Sequence, residues 1–147
     1  MGGIGLPSLH SLQFSFNCSL ISRIYNTHSP LSIWLFKVYI TPWKEPTSKS
    51  SKFWKQVCSD ANSAKDCFHF KVTAFSKFAL YWDHWYKDKC LREVADFTSF
   101  LSSFPVNDSI SVILEGENWK LPSSLPHAVH KAFSDIVIAP GSHENIY

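Results

Sequence analysis

The sequence predicts a mainly helical α+β fold with three N-terminal helices, a central β-hairpin, then short helices and a C-terminal helix. Three observations predict it. In three stretches before residue 64, apolar residues recur at spacings of three and four, each stretch opened by a serine. From Cys67 to Trp85 the spacing changes to two. After residue 90 the helical spacing returns, interrupted by serines and prolines. The 147 residues read as one domain, helical over about 8–64, a hairpin over about 67–85 and helical again over about 90–138.

Ser8 is placed to cap a first helix in which Leu9, Leu12, Phe16, Leu20 and Ile24 form the apolar stripe, ending near Tyr25-Asn26. Ser29-Pro30 opens a second, with the proline at the first helical position. Leu31, Trp34, Leu35, Val38 and Tyr39 share its face, and Thr41-Pro42 stops it. Residues 43–50 read as a loop. A third helix starts near Ser50 or Ser51 and gathers Phe53, Trp54, Val57, Cys58 and Ala61.

In the central stretch Phe68, Phe70 and Val72 alternate with His69, Lys71 and Thr73, and Phe78, Leu80 and Trp82 alternate with Ala79, Tyr81 and Asp83. Period-two alternation sorts side chains onto opposite strand faces, and the short link Ala74–Lys77 suits a hairpin turn. Tyr86-Lys87-Asp88-Lys89 reads as a solvated link. Leu91, Val94, Phe97, Leu101 and Phe104 are spaced for a helix that Pro105 ends. Asp108-Ser109 caps a short helical turn through Leu114 with Gly116 as its stop. Trp119 to Pro122 is a loop, and Leu125, Val129, Ala132, Phe133 and Ile136 mark the last helix. The tail from Pro140 is expected to be extended or frayed.

Composition limits the function. Hydrophobic residues make up 45% and aromatic residues 16%, too many for a disordered chain. The net charge of +2 is low for a dedicated nucleic-acid binder. Cys18, Cys58, Cys67 and Cys90 form no C-x-x-C pair and read as buried thiols, so an intracellular setting is expected over a secreted one. No apolar run approaches the roughly 20 residues of a membrane span. Asn17-Cys18-Ser19 and Asn107-Asp108-Ser109 fit the glycosylation sequon, which matters only outside the cytoplasm.

The residues offer little catalytic chemistry. Tyr81-Trp82-Asp83-His84 has the outline of the Tyr-x-Asp-Asp turn of a polymerase palm, but His84 stands where the second metal-holding carboxylate is needed. Asp83 therefore reads as structural, accepting hydrogen bonds from backbone or indole N–H groups. His127 and His130 lie three apart on a helix, and Cys67 and His69 on one strand face, yet neither pair has the further ligands a zinc site requires. No metal and no cofactor are expected. Arg23, Lys37, Lys44, Lys52 and Lys55 interleave with aromatic residues, the pattern of phosphate contacts beside stacking platforms. Helical spacing assigns Trp34 and Trp54 to the core and leaves Trp43, in a loop beside Lys44, as the stacking candidate.

The order of landmarks resembles one family. Gly2-Gly3-Ile4-Gly5-Leu6-Pro7-Ser8-Leu9 is similar to the GGLGxxxL segment that follows the polymerase core in plant non-long-terminal-repeat (LINE-type) retrotransposon reverse transcriptases. The helix that follows that segment in the family is matched by Phe16 to Ile24. The later landmarks are matched in order by Trp34 in its helix, Phe53-Trp54, Tyr81-Trp82-Asp83-His84-Trp85 and Trp119-Lys120-Leu121-Pro122. Gly2, Gly3, Gly5, Trp34, Trp54, Trp82, Asp83, Trp85, Trp119 and Pro122 carry the resemblance. The family's glycine-containing hairpin turn is replaced by Ala74-Phe75-Ser76-Lys77. The resemblance implies the connector between the polymerase domain and a C-terminal zinc-binding segment. The palm carboxylates would lie ahead of Met1 and the zinc-binding segment beyond Tyr147. The expected function is thus a connector with no catalysis of its own and, at most, weak and salt-sensitive contact with RNA or DNA. Its expected partner is a polymerase domain on another chain, with no membrane and no small-molecule substrate. The alternative is a protein-interaction module or a decayed element fragment.

Overall fold

A computed structural model describes residues 5–94, 97–141 and 146–147. Gly2 and Gly3 of the opening motif, residues 95–96 and His143 lie outside the described residues. Among the described residues the fold is mainly α with one two-stranded antiparallel hairpin, an α+β arrangement.

The first three helices are α1 (Leu9–Asn26), α2 (Pro30–Tyr39) and α3 (Lys52–Ser63), and each begins where a serine satisfies an orphan backbone donor. The Ser8 hydroxyl accepts from the Ser11 N–H at 3.1 Å, and Ser51 accepts from the Trp54 N–H at 3.1 Å. Ser29 and Ser32 form a reciprocal capping box, with Pro30 just inside the helix. α2 ends abruptly. Ile40 adopts φ 72° and ψ −56°, and the Thr41 N–H donates back to the Tyr39 carbonyl at 2.9 Å. This is a γ-turn of the rare positive-φ kind, strained for a β-branched residue.

α1 differs from the expected stripe in which face it buries. Asn17, Ile21, Ile24 and Tyr25 are buried, whereas Leu9, Leu12 and Phe16 are 84%, 52% and 59% exposed. At 100° per residue the buried face lies about a quarter turn round the helix from the predicted one. α2 repeats the pattern: Ser32 and Leu35 are buried, while Leu31, Trp34 and Val38 face solvent. Trp34 is thus a surface residue, not a core one. In α3, Trp54, Val57, Cys58 and Ala61 are buried as expected, and Phe53 is exposed. The Asn17 amide reaches the buried Asp60 carboxylate at 2.6 Å, clamping α1 to α3. That burial removes Asn17 from the set of glycosylation acceptors in the folded chain.

The central hairpin is not formed. Residues 68–82 run extended in part, but apart from a turn in which the Ser76 N–H donates to the Thr73 carbonyl at 3.1 Å, their extended backbone pairs with three distant segments. His69 exchanges N–H···O bonds with Tyr147 at 2.8 and 3.1 Å, and the Ala139 N–H donates to Val72 at 2.8 Å. The Leu80 N–H donates to Asp108 and the Ile110 N–H to Phe78, both at 2.8 Å. The alternation reports an extended chain whose partners lie elsewhere in the sequence. The hairpin is instead β1 (Leu114–Glu115) with β2 (Asn118–Trp119), in register Leu114↔Trp119 and Glu115↔Asn118. Gly116, expected as a helix stop, opens its two-residue turn at φ 62°, the position where a II′ turn needs glycine.

The later helices are shorter than their spacing predicts. Leu91–Glu93 is a single 3₁₀ turn, α4 covers only Thr98–Leu101, and Ile110–Ile113 is a 3₁₀ turn capped by Ser109. α5 (His127–Ser134) buries Val129 and Phe133. At the tail, Asn26 grips Ile146 through its side chain, donating to its carbonyl at 2.7 Å and accepting from its N–H at 3.1 Å. Ile146 is thereby buried rather than frayed.

The core has two aromatic centres. Tyr25 lies 5.2–5.9 Å from the rings of Phe36, Trp43, Phe70 and Phe78. Phe133 lies 5.0–6.2 Å from Trp85, Tyr86, Phe97, Phe100 and Trp119. The segment from Phe70 to Tyr86 feeds both centres and so joins the two halves. Among the described residues no helix is long and apolar enough to cross a membrane.

Candidate functional site

The expected nucleic-acid residues do not gather around a stacking platform. Arg23, Lys37 and Lys52 are exposed on three different helices. The Lys55 ammonium donates to the Ser48 carbonyl at 3.1 Å. Trp43, the proposed platform, is buried, because its loop folds inward between Tyr25, Phe68 and Phe70. The accessible indole in this region is Trp82, and two cations already cover it. The Lys44 ammonium lies 5.6 Å and the Arg92 guanidinium 4.6 Å from its ring. Arg92 was invisible to the sequence reading because its partner is ten positions away through a turn. The Trp82 indole N–H donates to Val106 at 3.1 Å, and Lys44 also donates to the Asn107 side chain at 2.9 Å.

The other landmark residues are structural in their surroundings. Asp83 is fully buried. Its carboxylate accepts from the Ala79 N–H at 2.7 Å, from the Tyr25 hydroxyl at 2.9 Å and from the Thr41 hydroxyl. Burial pushes its pKa up to about 7, against the lowering effect of those three donors. The Tyr25 phenol is raised well above its ordinary value, first by burial and then by the neighbouring Asp83 charge. The strained γ-turn at Ile40 is what delivers the Thr41 hydroxyl to this carboxylate. The buried Trp85 indole donates to the Leu80 carbonyl at 3.0 Å, and the half-buried Trp119 indole donates to Ile136 at 3.2 Å. Trp54 stacks on Tyr39 at 4.3 Å. Gly5 is exposed and Pro122 half-buried.

Two concavities flank this buried acid. A cleft of about 330 Å³ runs between α1, α2 and the 107–111 segment, with Phe36, Ile40 and Phe75 in its walls and His28, Lys77 and Asp108 among its polar residues. A recess of about 570 Å³ on another side is lined by Trp43, Glu45, Trp82, His84, Cys90 and Glu93, among others. Burial lowers the pKa of His84, while Glu93 opposes the shift. Burial raises the Cys90 thiol, and the Glu93 carboxylate raises it further. All four cysteines are free thiols, and Cys67 is exposed rather than buried. Neither His127 with His130 nor Cys67 with His69 belongs to a group of three possible metal donors among the described residues.

Comparison of the chain with protein-family models, curated proteins and solved structures returned no match.

Proposed function

We propose that this chain is a connector module of the LINE-type reverse-transcriptase kind, without catalysis of its own, which docks on a polymerase core through the apolar stripes of α1 and α2. The observation that carries the reading is the exposure of Leu9, Leu12 and Phe16 on α1 and of Leu31, Trp34 and Val38 on α2. Each set sits at i, i+3, i+7, so each is a continuous stripe, and neither is needed for the chain's own core. The identity of the partner follows from the resemblance. In that family the segment matched by Gly2 to Leu9 comes directly after the polymerase core, and the α1 stripe starts at its last residue. The buried state of Asp83 and its three hydrogen bonds support a structural role for the Trp82-Asp83-His84-Trp85 landmark. Contact with nucleic acid is secondary in this reading, since the exposed cations sit on separate helices.

The test is sedimentation of the chain mixed with the polymerase core of a plant LINE-type reverse transcriptase, expressed separately. A complex is expected with the wild-type chain and not with the triple variant Leu9→Ser, Leu12→Ser, Phe16→Ser. That variant should keep its circular dichroism, because all three side chains are exposed. A complex of equal strength with the triple variant overturns the docking reading.

A further inference from the structure

We propose that His84, Cys90 and Glu93 form a binding site for one divalent transition-metal ion of the zinc type. Their ligand atoms all lie within 4.8 Å of one another, and they are the one such group of three among the described residues. The spacing His84-x5-Cys90-x2-Glu93 matches no familiar zinc signature, so the sequence alone pointed to no metal here. Two local turns create it.

The first turn reverses the chain between His84 and Cys90. Lys87 and Asp88 both have positive φ, 49° and 60°, as the central residues of a type I′ turn do. Tyr86 and Lys89 exchange backbone hydrogen bonds at 3.2 and 2.9 Å across it. Two consecutive L-residues in the left-handed region are a strained arrangement. Such strain persists where the surroundings hold it, and it clusters at binding sites. The second turn is the 3₁₀ turn Leu91–Glu93, with Cys90 at its N-cap. Residues three apart on such a turn eclipse one another, which sets Glu93 over Cys90.

Burial and hydrogen bonding point to a ligand at the same place. The Nδ1 atom of His84 is buried without a hydrogen-bond partner, and so is the Nε1 atom of Trp43, which lines the same recess. An unpartnered buried nitrogen is costly and calls for an explanation that a bound ion or its water supplies. Cys90 is buried, His84 is half-buried, and Glu93 is exposed with its carboxylate already beside the Cys90 thiol. Zinc with sulfur at about 2.3 Å and nitrogen or oxygen at about 2.0–2.1 Å needs donors only about 3.3–3.7 Å apart. Closure therefore takes about 1 Å. A mixed nitrogen, thiolate and carboxylate set favours zinc over magnesium or calcium. Three protein donors leave a fourth position toward the recess for water. As the sulfur–metal bond forms, the Cys90 thiol proton passes to solvent.

The experiment adds cobalt(II), as an optical probe for zinc, to the reduced chain. One equivalent should bind with a thiolate-to-cobalt charge-transfer band and the visible bands of a four-coordinate ion, and zinc should displace it. Cys90→Ser should abolish the charge-transfer band, while Cys67→Ser, at the exposed cysteine, should leave it unchanged. Glu93→Gln removes the charge of a surface residue and should fold normally by circular dichroism. It should weaken binding at least 10-fold, about the least that disturbing a metal's surroundings costs. No saturable one-to-one binding, a band that follows Cys67 instead of Cys90, or unchanged affinity in Glu93→Gln overturns the site.

Discussion

The Tyr25 hydroxyl donates to the fully buried Asp83 carboxylate at 2.9 Å, tying the first helix to a residue 58 positions along the chain. Thr41 donates to the same oxygen. Three segments thus meet on one acid that has hydrogen bonds but, among the described residues, no ion-pair partner. Such an acid makes stability depend on pH in the unusual direction. Its pKa is about 7 in the folded chain against an ordinary 3.8, so the folded chain holds the proton more tightly. The resulting stabilisation is fully present below about pH 4, declines from there, and is lost as pH rises through about 7. Between pH 5 and pH 8 the wild type should lose about 2–3 kcal/mol from this group. His84, whose pKa is lowered, acts with the opposite sign. Comparison with Asp83→Asn isolates the contribution of this carboxyl: urea unfolding at the two pH values should show a smaller loss in the variant. An equal loss in both proteins contradicts the assignment.

The γ-turn at Ile40 reverses a common order of substitution. Glycine is ordinarily about 0.5–1 kcal/mol worse than alanine in regular structure. At φ 72° alanine keeps the strain and glycine relieves it. Ile40→Gly should therefore be more stable than Ile40→Ala by about 1 kcal/mol, read as the difference in their thermal or urea midpoints. The opposite order would mean that the turn is not strained.

Phe133 is the hub of the second aromatic centre, fully buried among five rings. Phe133→Ala should cost about 3–5 kcal/mol, through lost burial and the cavity left behind. Val137, four residues on, is 83% exposed, and Val137→Ala should change stability by no more than about 0.5 kcal/mol. Equilibrium unfolding of the two variants side by side checks both values.

Binding to single-stranded RNA should be weak and should fade with salt. Arg23, Lys37 and Lys52 stand on separate helices, and Lys44 is engaged with Trp82 and Asn107. With two or three phosphates in contact, log affinity should fall against log salt with a slope of about −2 or shallower. Fluorescence anisotropy over a salt series gives the slope, and a slope of −5 would reveal a phosphate-binding surface that these residues do not provide.

The helices of the first half were legible because their starts are chemical events. Ser8, Ser29 and Ser51 each cap a helix in the way their sequence context announces. Which face is buried was not legible. α1 carries apolar residues on two faces, and periodicity finds a helix without saying which stripe meets the core. Residues 68–82 misled for a related reason. Their alternation is that of extended chain, but Tyr147, Ala139, Asp108 and Ile110 supply the pairing from far along the sequence. Asp83 was readable as an acceptor of backbone N–H groups, yet Tyr25 and Thr41 were not readable as its partners. Trp43 looked like a surface indole because loop residues usually are exposed, and here the loop folds into the first aromatic centre. The juxtaposition of His84, Cys90 and Glu93 depends on left-handed backbone at Lys87, a residue type that gives no warning of it.

Hydroxyl-radical footprinting of the chain, alone and in the presence of the polymerase core, reads the docking surface residue by residue. Phe16 and Trp34 are 59% and 52% exposed and react readily with the radical when free. Docking through the α1 and α2 stripes should protect both in the complex, together with Leu9 and Leu12, while the exposed Phe75 in the wall of the cleft stays reactive. Protection confined to Phe75 or Trp82, with Phe16 and Trp34 unchanged, would contradict it.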